Sequence, residues 1–175
     1  MIIARSWTRV AMIAALSSAL ACGDDEEDLN PADYAGFYAL AQVDGHDPGW
    51  YHQMGGVDCE VAFTSGSLVI TANKQFRLDL DYDFRCFGTD PFDGSDVLVI
   101  IGTDIKSSPG QIVLNGIGPD FIGGTSRERW SFDAYPRGDH LEVRFYGLVR
   151  EYWADPLLMM GPKEPYDGPC FIGCF

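Results

Sequence analysis

The sequence predicts an all-β domain: an antiparallel up-and-down meander of short strands, closed as a barrel or packed as a sandwich. Three observations predict it. The chain of 175 residues carries 20 Gly and 10 Pro, is 46% hydrophobic and 13% aromatic, and shows no long helical pattern. That composition is too apolar for disorder and is rich in turn formers. Apolar residues then alternate with charged ones. Phe76, Leu78, Leu80, Tyr82 and Phe84 interleave with Arg77, Asp79, Asp81, Asp83 and Arg85, the mark of a strand with one buried and one wet face. Leu141, Val143 and Phe145 alternate with Glu142, Arg144 and Tyr146 in the same way. Finally, turn clusters punctuate the chain at Ala72-Asn73-Lys74, Ser107-Ser108-Pro109-Gly110 and Pro136-Arg137-Gly138-Asp139.

Taken in order, residues 1–21 read as a signal peptide. Arg5 and Arg9 supply a positive start, and Val10 to Leu20 form an apolar run of 11 residues. That run is too short to span a bilayer, which takes about 20 apolar residues. It ends Ala19-Leu20-Ala21-Cys22. This ending resembles the lipobox of bacterial lipoproteins, with Ala19 where Leu is usual. The resemblance implies that Cys22 is lipidated, carrying a thioether-linked diacylglycerol and an acylated amino group. The alternative is an ordinary secretory signal with an incidental Cys. Residues 22–33 are an acidic tether, because five consecutive acids from Asp24 to Asp28 repel one another and cannot pack. The implied location is the bacterial cell envelope, anchored to a membrane through lipid. Gly23, at a position where some lipoproteins carry an inner-membrane-retaining Asp, leans the expectation toward the outer membrane.

The expected barrel occupies residues 34–155. Strands are expected at 36–43, 58–63, 66–72, 76–85, 97–102, 111–115, 127–133 and 141–146. The hairpin around Asn73 has a testable register. Pairing numbers that sum to 146 places Ile70 opposite Phe76 and Leu68 opposite Leu78. A one-residue bulge at Thr64-Ser65-Gly66 changes the sum to 145, pairing Phe63 with Tyr82, Val61 with Phe84 and Cys59 with Cys86. The predicted disulfide is therefore Cys59–Cys86. Cys170 and Cys174 then pair across Gly173, or else one of them staples the tail to Cys59 or Cys86. Residues 156–175 hold three further Pro after Pro156 and read as an irregular Pro/Gly-rich tail, with Leu157, Leu158, Met159, Met160, Phe171, Ile172 and Phe175 to cap the barrel or meet a partner.

Tyr34-Ala35-Gly36-Phe37-Tyr38 opens the domain. It resembles the Tyr-x-Gly-x-Trp opening of lipocalins and lipocalin-like lipoproteins, with Tyr38 in place of Trp. Thr103-Asp104 resembles part of that family's Thr-Asp-Tyr loop, with Ile105 in place of Tyr. The resemblance implies an eight-stranded lipocalin-like barrel, an aromatic plug at Tyr38, and Arg150 packed over it.

Function classes narrow from here. The net charge is −14, and losing Arg5 and Arg9 leaves 10 basic residues against 26 acidic, or −16. Such a chain repels phosphates, so no nucleic-acid partner is expected. No nucleophile elbow, phosphate loop, dinucleotide fingerprint or zinc-protease motif is present, so neither an enzyme nor a cofactor is expected and no catalytic residue is assigned. His46 and His52, with Asp44, Asp47 and Asp58 nearby, match no metal-ligand spacing, and Asp90, Asp93 and Asp96 lack the alternate-residue calcium pattern. The Asp79, Asp81, Asp83 ladder reads as a wet face that blunts aggregation. Trp50 and Tyr51, in the loop with His46 and His52, are placed at a barrel mouth; with Tyr38 they are the candidate ligand-binding residues. Two readings follow: a barrel holding a small apolar ligand, or a non-enzymatic interaction lipoprotein with a side-chain-filled barrel and an envelope protein partner. Bulky Phe76, Leu78, Leu80, Tyr82, Phe84 and Phe145 favour the second at least as well as the first.

Overall fold

A computed structural model describes residues 29–53, 58–89, 91–119, 127–146, 156–169 and 171. Cys22, Arg150, Cys170 and Cys174 lie outside these residues, as do the signal peptide and residues 22–28 of the tether. One helical turn, α1 (Pro31–Tyr34), leads into nine strands: β1 (Gly36–Val43), β2 (His52–Gln53), β3 (Cys59–Ile70), β4 (Phe76–Cys86), β5 (Phe92–Ser108), β6 (Gln111–Pro119), β7 (Arg127–Arg137), β8 (His140–Tyr146) and β9 (Leu157–Glu164). All pairings are antiparallel and run β1-β9-β8-β7-β6-β5-β4-β3-β2, with a further pairing of β1 to β3. That last pairing closes eight strands into a barrel, and β2 is a short extra strand beside the far half of β3. Closure removes the open edges that make sheets sticky.

The hairpin between β3 and β4 has the register expected from the sequence. Ile70 faces Phe76, Leu68 faces Leu78, a shift falls between Phe63 and Ser65, and beyond it Phe63 faces Tyr82, Val61 faces Phe84 and Cys59 faces Cys86. The two cysteines are bonded. Thr64 is the extra residue, and its hydroxyl turns to the Asp81 carbonyl.

The inward positions are filled by large side chains. Phe76, Leu78, Leu80, Ile100, Ile112, Leu114, Phe132, Val143, Leu158 and Met160 are completely buried. Each large apolar side chain withdrawn this way contributes about 1.5–3 kcal/mol. Four rings meet in sequence: Phe76 edge-on to Phe132 (5.8 Å), Phe132 to Phe145 (5.0 Å) and Phe145 to Trp130 (6.2 Å). Glycine makes room for them. A Cβ at Gly116 would sit 2.8 Å from both the Phe76 ring and the Ile100 side chain.

Two expectations change in detail. β9 lies inside the stretch read as an irregular tail, so the barrel runs to Glu164 and the irregular segment begins after it. Leu157 to Met160 carry no polar alternation, which hid the strand; Leu158 and Met160 point inward and are fully buried. Pro162, a poor strand residue, falls where the β1–β9 register slips between Phe37 and Ala39, so no ladder hydrogen bond is asked of it there. Thr103-Asp104 is not in a loop. It sits within β5 at a register shift opposite β6, where Asn115 donates to Asp104 at 3.2 Å.

Candidate functional site

The site begins where β1 ends. Val43 and His46 exchange reciprocal backbone hydrogen bonds of 2.9 Å around Asp44 (φ 50°) and Gly45 (φ 79°). Positive φ at both central positions is the turn that Asp-Gly favours, because glycine adopts it freely and aspartate tolerates it. Asp44 then binds the start of β9. Its Oδ1 accepts from the Leu157 amide, and its own amide donates to the Leu157 carbonyl, both at 2.8 Å. The chain crosses to β3, where Gly49 donates to the Phe63 carbonyl at 2.7 Å, and β2 pairs His52 with Val61.

This path leaves a half-open cleft of ≈ 320 Å³ between the segment that follows β1, the far half of β3 and the residue that leads into β9. Val61, Phe63 and Pro156 form its apolar wall, and Asp44, Trp50, Tyr51, His52 and Gln53 complete it. Trp50 is 57% exposed, and the His46 ring stacks on it at 4.6 Å and 12°. On the outer side, the Arg85 guanidinium covers the Tyr51 ring at 3.8 Å and pairs with Glu60. That arginine is therefore spent on structure.

His52 carries the main polar feature. Its Nδ1 lies 3.3 Å from Asp44 Oδ2, while its Nε2 is buried with no hydrogen-bond partner. Burial holds the imidazole below its ordinary range and nearby His46 adds to that, against the raising effect of the Asp44 carboxylate. A neutral ring donating from Nδ1 to Asp44 presents Nε2 as an acceptor.

Trp50 and Tyr51 thus share one cleft, and Tyr38 does not belong to it. Tyr38 is buried inside the barrel, where its hydroxyl donates to the Tyr34 carbonyl at 2.8 Å, and burial pushes its pKa up to about 12. Asp79 is clasped by Arg77, Asp81 receives Ser65 and Asp83 receives Ser95 at 2.5 Å, so the acidic ladder is tied up across the outer face. Asp93 and Asp96 are on β5, and Asp90 lies outside the described residues. Among the described residues, no group of three His, Cys, Asp or Glu side chains is arranged to hold a metal, and no helix is long and apolar enough to cross a membrane. Sequence reading named Asp44 and His52 only as metal candidates and missed Phe63 and Pro156 as lining. The local signals for the site were Trp50-Tyr51, read as lining a barrel mouth, and Asp44-Gly45, whose turn folds His46 back on Val43.

No protein-family model, curated protein or solved structure matches this chain.

Proposed function

We propose that the chain is a lipid-anchored lipoprotein of the bacterial cell envelope, held at the outer membrane, whose barrel is a side-chain-filled scaffold serving a protein partner. The anchor rests on the signal sequence and Cys22. The scaffold rests on one observation: the Phe76, Phe132, Phe145 and Trp130 rings run through the barrel. A barrel of eight strands has room for one small ligand or for its own side chains. Here the rings, with Leu78, Leu80 and Ile100 around them, support the second use over an apolar ligand in the barrel.

Two measurements test the reading. The full chain should fractionate with membranes and take up labelled palmitate, and Cys22→Ala should lose both. A labelled Cys22→Ala chain would overturn the anchor. The purified Cys22→Ala chain should give no stoichiometric rise in naphthylamine fluorescence. A one-to-one rise, displaced by a fatty acid, would restore the ligand-carrying barrel.

A further inference from the structure

We propose that the cleft between the Asp44 turn, β2 and β3 is a binding site for a small organic cation, an ammonium group carried on an aromatic or similarly flat apolar body. This goes beyond the scaffold reading, since the cleft opens at the edge of the packed interior, where the core residues Val61 and Phe63 meet Trp50 to Gln53. The argument starts from volume. A cleft of ≈ 320 Å³ reaches the lower end of small-molecule sites and suits a body of one ring. Its wall of Val61 and Phe63 favours an apolar face. Trp50, more than half exposed, adds an aromatic surface already preset by the His46 ring stacked on it.

Polarity then fixes the sign of the ligand. Among the described residues, the lining contains the Asp44 carboxylate and no lysine or arginine. The Arg85 guanidinium, which lies against the lining residue Tyr51, is committed to that ring and to Glu60. An anion would be repelled by the carboxylate, which the Leu157 amide and His52 bond without neutralising; a cation would be paired by it. His52 adds a second requirement. Its Nδ1 faces Asp44, so Nε2 carries the free lone pair, and that atom is buried without a donor. Buried acceptors in native proteins nearly always have partners, and an ammonium brings up to three donors. Carboxylate, ring acceptor and aromatic face together define a site for an arylalkyl ammonium. Aromatic faces attract such cations. The strongly acidic chain, at −14 overall, also raises the local concentration of cations.

The test uses the full lipidated chain in detergent micelles, with empty micelles as the blank. Phenethylamine, 2-phenylethanol and 3-phenylpropionate share a ring and differ in charge. Titration calorimetry should show one-to-one binding of the amine, about tenfold weaker binding of the alcohol, and none of the acid, as expected when a charge-assisted hydrogen bond is lost. Asp44→Asn keeps an acceptor for the Leu157 amide and should weaken the amine about tenfold. Trp50→Ala, at an exposed position, should weaken it too while leaving thermal unfolding unchanged. Equal binding of amine and alcohol overturns the assignment of a cation. Binding of the amine unaltered in both variants places it elsewhere and overturns the site. No binding of any probe overturns the proposal while leaving the anchor and the filled scaffold to their own tests.

Discussion

The imidazole of His52 stands between unlike neighbours: a carboxylate on one nitrogen and no partner on the other. Its depressed pKa has a consequence for stability. The unfolded chain takes up a proton near the ordinary value of 6.5, and the folded loop refuses it until lower pH. Stability from this residue is therefore complete above 6.5 and is lost as the pH falls from there toward the folded value. Thermal unfolding of the full chain between pH 7.5 and 5 should show a steeper loss than that of His52→Gln, which has no such proton to take up. Parallel profiles would sink the expectation. Nothing local in the sequence announced this environment. Asp44 and His52 were visible as polar loop residues, but the apolar wall behind them comes from Val61, Phe63 and Pro156, which only the fold brings near.

At the scale of elements, the hairpin of β3 and β4 shows how much was legible. Its alternation was unbroken on β4, so any partner strand had to match it, and Thr64 was the place to absorb the mismatch. The opposition of Cys59 to Cys86 then followed from counting. The first half of β5 was illegible for the opposite reason. Asp93-Gly94-Ser95-Asp96 has turn chemistry, yet β4 supplies it a full ladder from Cys86↔Phe92 to Asp81↔Val97. Tertiary pairing overrode a weak local preference. The Thr64 bulge yields a sharp prediction. Deleting Thr64 leaves Phe63 opposite Tyr82 in an unbroken ladder, so the disulfide should still form. Mass spectrometry of the deletion variant should find Cys59 and Cys86 linked. Free thiols at both would show that the bulge itself sets the register. Removing the bond with Cys86→Ser should cost about 2–4 kcal/mol in denaturant unfolding.

For the molecule as a whole, closure depends on β9, which bridges β8 and β1. The sequence hid it because Leu157, Leu158, Met159 and Met160 are apolar on both faces and flanked by Pro156 and Pro162. Yet Asp44 is bonded to Leu157 and Lys163 to the Asp33 carbonyl, so the strand is fastened at both ends to the region around β1. A chain ending at residue 156 would expose two unpaired edges and the core face behind Leu158 and Met160. It should lose cooperative unfolding and aggregate. A truncated chain with a sharp thermal transition would show that the other strands close without β9.

The direction of β1 carries one more consequence. It starts at Gly36, beside the α1 turn and the β3–β4 hairpin loop, and ends at Val43, where the Asp44 turn opens the cleft. Eight residues of strand span roughly 25 Å. The chain N-terminal to α1 therefore joins one pole of the barrel, and the cleft sits at the other. If the proposed anchor at Cys22 holds, the attachment and the opening lie at opposite ends of the molecule, so a ligand could reach the cleft without passing the anchored end.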